Sequence, residues 1–589
     1  MAEGDTEVSM DTGAIARALP VEPGGRPRLP AGLGAAAIQY ALALVTLLVV
    51  VGPIVPILYQ AVIDRPIYDA GGLLTLGNFG RLFGHEAFAG VVYNSLVFSF
   101  FSTLISQGLG AVLAILIGRT NVPGARVFGS LVLWPIFISG LVFTFGWFVA
   151  YGPTGYLTMY VKLAVGIEPW NLYSLTGMAI ISGISSVPIT VLFCLSSSAL
   201  ADTSLEDAAR VCGARPLRIL RTVTLPMLAP AIAYSGILNF LNALETLSIP
   251  LLLGEPAGIR MFMSFIYAEG IERPKPDYGL VGAATVVLLV IVGLLILLQE
   301  RLLGNTRRFV TVGGKAGLRR QFDLGTSRWP AFALLALYAG FGIVMPMMFV
   351  FLRGFVSFIS PLVPFWQVLT LENFAQALTL PGNIRALWNT LLLSVVGGAV
   401  ATLGYALVTI VVHRSQFRFR GILKLVALLP RGVPGMIAGL GVFYALLAIP
   451  AIQHLAGTIW IIGLAYLARY IPTGYGAMSP ALLQIGPDLD RSARVMGASW
   501  WQSCRAVILP LLRPAMLASY CLLFIAFLKE YATAVFLFAP GTEVLGTAML
   551  RYWANGDIGP MAALSAIQIA ITLVFLALAH RIPGVSLVR

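Results

Sequence analysis

Chemistry requires reactive side chains brought close together, and this chain has few to bring. Of its 589 residues only 11% are charged, with four histidines and four cysteines. His85, His413, His454 and His580 are scattered, and His85-Glu86 lacks the second histidine of a zinc-protease helix. Cys194, Cys212, Cys504 and Cys521 lie in or beside apolar stretches without metal-cluster or disulfide spacing, so they read as structural thiols. A phosphate-binding loop needs a lysine preceded by Gly and followed by Ser or Thr. Lys162, Lys275, Lys315, Lys424 and Lys529 are followed by Leu, Pro, Ala, Leu and Glu. The sequence therefore predicts no enzyme, no catalytic or metal site, no cofactor and no ATP hydrolysis of its own.

Two carboxylates stand out because they lie inside apolar runs. Glu245 and Glu530 follow Pro230 and Pro514 by 15 and 16 residues. A charge there costs about 2.5–3.5 kcal/mol on insertion scales, so each is expected to face a cavity or a partner. They either flank a central translocation path and gate a cationic substrate, or brace helices by hydrogen bonds, with Lys529 neutralising Glu530. Asn94, Asn239, Asn242 and Asn389 read as interhelical hydrogen-bonding residues.

A third feature is written twice. EDAARVCGA at Glu206 to Ala214 returns as DRSARVMGA at Asp490 to Ala498. Thr203 with Glu206 reads as a capping box opening a short helix, and Gly213 as the permissive residue that ends it. Pro216 then suits the first turn of a second short helix, which Leu225-Pro226 should close. In the second copy Asp488 reads as an N-cap and Ser499 as the cap of the following helix. A helix–Gly–helix elbow with small residues suits docking better than catalysis.

These features must be carried by membrane spans. The chain is 58% apolar, against about 25% charged in ordinary soluble proteins where this one has 11%. Apolar windows of spanning length fall near 37–61, 89–117, 128–151, 176–199, 228–252, 279–300, 331–354, 387–412, 421–449, 457–482, 514–538 and 560–580. The expected fold is an all-α polytopic membrane protein of about twelve helices in the lipid bilayer. Arginines cluster before window one, after two and four, and between six and seven, which predicts cytoplasmic termini and elbows. The net charge of +13 is thus a topology signal, and no nucleic-acid partner is indicated. The first 36 residues are polar, rich in Pro and Gly, and do not read as a signal peptide.

The copies belong to a repeat. Gly213 and Gly497 set an offset of 284, which also pairs Pro188 with Pro472, Leu225-Pro226 with Leu509-Pro510, and Pro230 with Pro514. Upstream the offset is 295, pairing Asn78 with Asn373, Arg119 with Arg414 and Pro135 with Pro430. The first half therefore holds 11 extra residues (295 − 284) between its third and fourth windows, in an enlarged outer loop. An even number of windows per half gives parallel repeats about an axis normal to the membrane. The expected division is a tail over 1–36, a first domain over 37–300 with its elbow at 203–226, a linker over 301–330, and a second domain over 331–589 with its elbow at 487–510.

The pattern Asp/Glu-Ala-Ala, three residues, Gly, nine residues, aliphatic, any residue, Leu-Pro resembles the EAA loop of bacterial ABC importer permeases of the type I fold. Asp207-Ala208-Ala209, Gly213, Val223 and Leu225-Pro226 carry it, as do Ser492-Ala493, Gly497, Val507 and Leu509-Pro510. Arg491 departs from it where the family has an acid, beside Asp490. Two fused domains, with TVGGKAG at Thr311 to Gly317, are similar to the ferric-iron permease group; thiamine, aminoalkylphosphonate and polyamine permeases are related alternatives. The resemblance implies a bacterial inner-membrane, multi-pass protein that alternates its access between periplasm and cytoplasm. Cytoplasmic ABC ATPase subunits would dock on Glu206, Asp207, Ala208, Ala209 and Gly213, and on Asp490, Arg491, Ser492, Ala493 and Gly497. A periplasmic substrate-binding protein would deliver the cargo. From another class, an ion-coupled secondary transporter also fits twelve spans in parallel halves.

Overall fold

The computed structural model describes residues 33–69, 71–200, 204–303 and 322–581. Among these the chain is helical, with isolated β-bridges and no named strand. Nine helices among the described residues are long and apolar enough to cross a membrane, and eleven if two bent pairs each count as one span. The remaining sequence window is the helix Ile459–Gln484, which is long enough but less apolar because it carries Arg469, Pro472 and Pro480.

The bent pairs occupy the same place in both halves. Ala125–Phe137 turns by 111° into the following helix at Gly140, and Arg420–Gly432 turns by 112° into Gly435–Ala448. Pro135 lies in the last turn before the first bend, and Pro430 and Pro434 flank the second. Proline lacks the N–H that the ladder needs, so carbonyls are freed at each break and must find donors inside the protein. Lys529 Nζ donates to Ile136 O at 2.5 Å, and Arg469 Nη1 donates to Val433 O at 2.6 Å.

Windows 228–252 and 514–538 overrun their helices. Leu225–Glu245 and Leu509–Lys529 end at equivalent positions, and the backbone turns extended at Thr246 and Glu530. Both helices begin earlier than their Leu-Pro dipeptides suggest. Leu225-Pro226 does not close the second elbow helix; Pro216–Ile219 runs through a wide turn, Leu220–Thr224, straight into the span. Trp500–Ser503 and Cys504–Ile508 do the same before Leu509. The wide turn spaces its hydrogen bonds five residues apart and so tolerates a proline that an α-turn would not.

The halves interlock through their first spans. Tyr40 of the first half stacks edge-on against Phe417 of the second, and Phe332 of the second against Phe128 of the first. Tyr151 Oη donates to Phe341 O at 2.6 Å, and Tyr338 Oη to Ile184 O at 3.0 Å. Asn78 and Asn373 each send a side-chain amide back to carbonyls where the first span of their own half ends, at 2.8–3.1 Å. The extra residues of the first half form the helix Tyr156–Val165, where the second half has only the short turn Pro450–Leu455. Trp170 Nε1 fastens that insertion by donating to Tyr151 O at 2.8 Å.

Candidate functional site

The two elbows are built alike from their sequence copies. Ser204–Val211 and Pro487–Val495 are the first helices, and Gly213 and Gly497 follow with φ of 79° and 93°. Only glycine adopts that left-handed backbone cheaply, and here it lets the chain reverse into the second helix. A Cβ at either glycine would meet nothing within 4 Å, so the surface beside it is open.

Glu206 ties its elbow to the neighbouring span. Thr203 lies outside the described residues, and the Glu206 carboxylate accepts Arg119 Nη2 at 3.1 Å and Thr224 Oγ1 at 2.9 Å. Its repeat mate Asp490 accepts Arg414 Nη1 at 3.3 Å. Arg119 and Arg414 end the second span of each half, so each elbow is pinned to that span by one ion pair. Glu206 is 1% exposed and Asp490 8%, which leaves neither carboxylate open to an external partner. Asp488 sits in the first turn of its helix and pairs with Arg491 at 3.2 Å rather than capping; Gly486 holds the cap position. Ser499 does cap, in a reciprocal box with Gln502.

What the elbows present outward is apolar and matched. Val211 is 88% exposed and its mate Val495 81%, and Met496 stands exposed where the first copy has Cys212. Cys212 is thus an exposed thiol, whereas Cys194, Cys504 and Cys521 are buried as expected. Asp207 pairs with Arg210 at 2.5 Å, so the two outer faces differ at the acid position, Asp207 against Arg491.

The first elbow has an additional brace. Phe322, at the end of the interdomain linker, donates its N–H to Arg119 O at 2.7 Å, and its ring lies 4.7 Å beneath the Arg210 guanidinium. The Gly325 N–H at 2.9 Å, and after it Asn121 Nδ2 at 2.7 Å, hold the Asp323 carboxyl below the usual carboxylate range. The linker motif at 311–317 lies outside the described residues.

Both intramembrane glutamates converge on one arginine. Arg469 Nη2 lies 3.2 Å from Glu245 of the other half, and its Nε 3.8 Å from Glu530. Tyr470 Oη also donates to Glu530, and Thr533 closes its second oxygen at 2.9 and 3.1 Å. Glu245, Arg469, Arg431 and Asn242 line a cavity of about 180 Å³ at the junction of the halves. Lys529 does not pair with Glu530; it points the other way, into the break of the first half, where Ser139 Oγ returns a bond to Lys529 O at 3.3 Å. Asn239 Nδ2 joins Ser106 and Thr190 at 2.9 and 3.0 Å, and Asn94 and Asn389 reach backbone carbonyls at 2.9–3.1 Å. Among the described residues no group of three or more His, Cys, Asp or Glu could hold a metal ion.

The sequence reading passed over Arg469, although the rule that singled out Glu245 and Glu530 applies equally to a lone arginine in an apolar window. Arg119 and Arg414 are visible in the sequence as repeat mates, but nothing there marks them as partners of Glu206 and Asp490.

Two parallel helical repeats, interlocked at their first spans and carrying matched elbows, define a polytopic membrane transport permease. The sequence matches the binding-protein-dependent transport system inner membrane component family over residues 95–309 and again over 406–583. The chain belongs to that family, as an ABC importer permease subunit with two permease domains fused. The ferric transport system permease protein FbpB of Actinobacillus pleuropneumoniae is 27% identical over 507 residues, covering 84% of this chain and 71% of the relative. A putative 2-aminoethylphosphonate transport system permease protein, PhnV of Salmonella typhimurium, is 30% identical over 257 residues, 41% of this chain and 94% of the relative. Among solved structures, a bacterial alginate ABC transporter bound to its pentasaccharide-loaded periplasmic protein aligns with a TM-score of 0.35 and 19% identity, over 43% of this chain and 93% of that one.

Proposed function

We propose that the chain moves ferric iron from periplasm to cytoplasm, driven by separate ABC ATPase subunits seated on the two elbows. The observation that carries the ATPase docking is the paired anchoring of the elbows. Arg119–Glu206 and Arg414–Asp490 tie each one to a span, so a force applied outside is passed to a membrane helix. Asp207, Ala208, Ala209 and Gly213, with Arg491, Ser492, Ala493 and Gly497, then form the contact faces, while Glu206 and Asp490 position them from within. Basic residues around the elbows support a cytoplasmic setting for them and for both termini. A periplasmic binding protein would deliver cargo to the opposite face, where the first half's insertion adds surface.

Iron is favoured because the relative named for ferric transport matches across both halves. The Glu245–Arg469–Glu530 cluster lies at the junction, on the path of an alternating-access cycle, and acts as a gate between the halves. A second reading, 2-aminoethylphosphonate, is supported by the relatives that match one half at 30%. Uptake of radiolabelled ferric iron and of 2-aminoethylphosphonate by a deletion strain, with and without the gene restored, separates the two. Uptake that survives loss of the ATPase but collapses with the ion gradient would instead favour a secondary transporter.

A further inference from the structure

The likeness of the two halves fails at the junction, and two of the unlike pairs leave one cavity unplugged. At the offset of 284, Glu245 and Lys529 are mates at the ends of equivalent helices, and Ser185 and Arg469 are mates on the preceding spans. On one side of the junction Arg469 meets Glu245 at 3.2 Å, so opposite charges from opposite halves neutralise each other beside a cavity of about 180 Å³. On the other side serine replaces the arginine and lysine replaces the glutamate. There the cavity is about 480 Å³.

The polar groups in the wall of that larger chamber are mostly hydroxyls, set among apolar side chains such as Ile136, Phe143, Ile189, Leu192 and Phe193. Thr144, Ser182, Ser186, Thr246 and Ser248 surround it together with Ser185, and Asn242 is shared with the smaller cavity. Lys529 supplies the one charged group in the wall. Among the described residues Lys529 has no carboxylate at ion-pair distance, because Glu530 is taken by Arg469, Tyr470 and Thr533. One ammonium hydrogen goes to Ile136 O, and two donors remain. A charge in a membrane span is normally matched by a counter-charge in direct contact, and among the described residues Lys529 has none at that distance.

The hydroxyls can add donors at small cost. Ser185 Oγ and Thr144 Oγ1 donate to Ser182 O and Gly140 O of their own helices, carbonyls that lie in position to accept main-chain N–H groups as well. Rotating such a hydroxyl toward a ligand therefore leaves little unsatisfied. A cation would meet the Lys529 ammonium head-on, whereas an anionic oxygen would meet an ammonium, an amide and several O–H groups.

We infer that this chamber is a transit site for an oxyanion group of the cargo, a phosphate, phosphonate or carboxylate held by Lys529 and the surrounding hydroxyls. The inference rests on the importer reading and not on iron as cargo; a ferric ion would pass here with an oxyanion ligand attached. The open chamber is walled by the first half and closed by Lys529 of the second, with no equivalent of that size on the other side of the junction, so the two sides bind unequally.

The test is equilibrium binding of radiolabelled inorganic phosphate to the full-length chain in lipid nanodiscs, with its ATPase subunits. The wild-type chain should bind saturably. Lys529→Gln should weaken binding by about tenfold or more, the effect of removing a charged hydrogen-bond partner, and Lys529→Arg should restore most of it. Ser185→Leu fills the chamber without touching the lysine and should abolish binding with the melting midpoint unchanged; it carries the test should Lys529→Gln misfold. Wild-type chain without saturable binding, or Lys529→Gln and Ser185→Leu binding like wild type, would overturn the site. Co-purification of the ATPase is scored in the same samples. Its absence with phosphate binding intact would count against the importer reading alone, and its presence without binding against the chamber alone.

Discussion

Arg469 and Glu245 lie 3.2 Å apart across the junction of the two halves, and each has a repeat mate of different charge character, Ser185 and Lys529. Among the described residues a single ion pair therefore links the halves on one side of the pseudo-symmetry axis and has no counterpart on the other. Both side chains are largely buried, and removing one member of such a pair leaves the other charge uncompensated. Arg469→Ala should lower stability by about 3 kcal/mol, read as a drop in the melting midpoint of the purified chain. Arg469→Glu combined with Glu245→Arg should recover part of that loss, and no recovery would mean that the pair itself contributes little.

Glu245→Gln with Glu530→Gln should keep hydrogen bonds to Arg469 and Tyr470 while removing both negative charges. Assembly with the ATPase should be unaffected and uptake impaired. Unchanged uptake kinetics would return both residues to a purely structural role.

The elbow anchors should behave as coupled pairs. In a double-mutant cycle of Arg119→Met and Glu206→Gln, the interaction energy is expected at about 1–3 kcal/mol, from the stability of the purified chain. The Arg414–Asp490 cycle should give a smaller value, because Asp490 lacks the second donor that Thr224 gives Glu206. Equal energies in the two cycles would argue against that difference.

Bulky replacement of Gly213 and Gly497 should separate folding from docking. Each Cβ would enter open space, but the left-handed φ adds strain of about 1 kcal/mol per site. The double Trp variant should fold and reach the membrane yet fail to co-purify the ATPase. Retention of a normal complex would remove the elbows from the docking surface.

Phe322→Ala should loosen only the first elbow. It deletes the ring under Arg210, a contact of about 0.5–1 kcal/mol, while the main-chain bond to Arg119 O persists. Protease sensitivity should rise at the first elbow and not at the second; equal sensitivity at both would show that the linker does not brace it.

Much of this architecture was legible from residue order. Apolar windows of spanning length are a local property, so the spans could be counted, whereas Pro135 and Pro430 stood out only as repeat mates and their bends appear in the structure. The repeat offset was equally local, and it made the twin elbows and the ending glycines predictable. Ser499 announced its cap for the same reason, because a capping box closes within a single helical turn.

What the sequence could not decide was which distant groups meet. Glu206 has the spacing of a capping residue, but nothing in that spacing announces Arg119, 87 positions away, which donates to its carboxylate. Lys529 neighbours Glu530 in sequence, yet the helix ends between them, sending the lysine to the first half and the glutamate to Arg469. Helical periodicity sets which residues share a face, and only packing decides what that face finds opposite it. In a bilayer every buried charge must be matched from within the protein, so the span pattern alone determined that partners must exist. The tertiary structure decided which they are, and gave Lys529 the carbonyl of Ile136 with no carboxylate at ion-pair distance among the described residues.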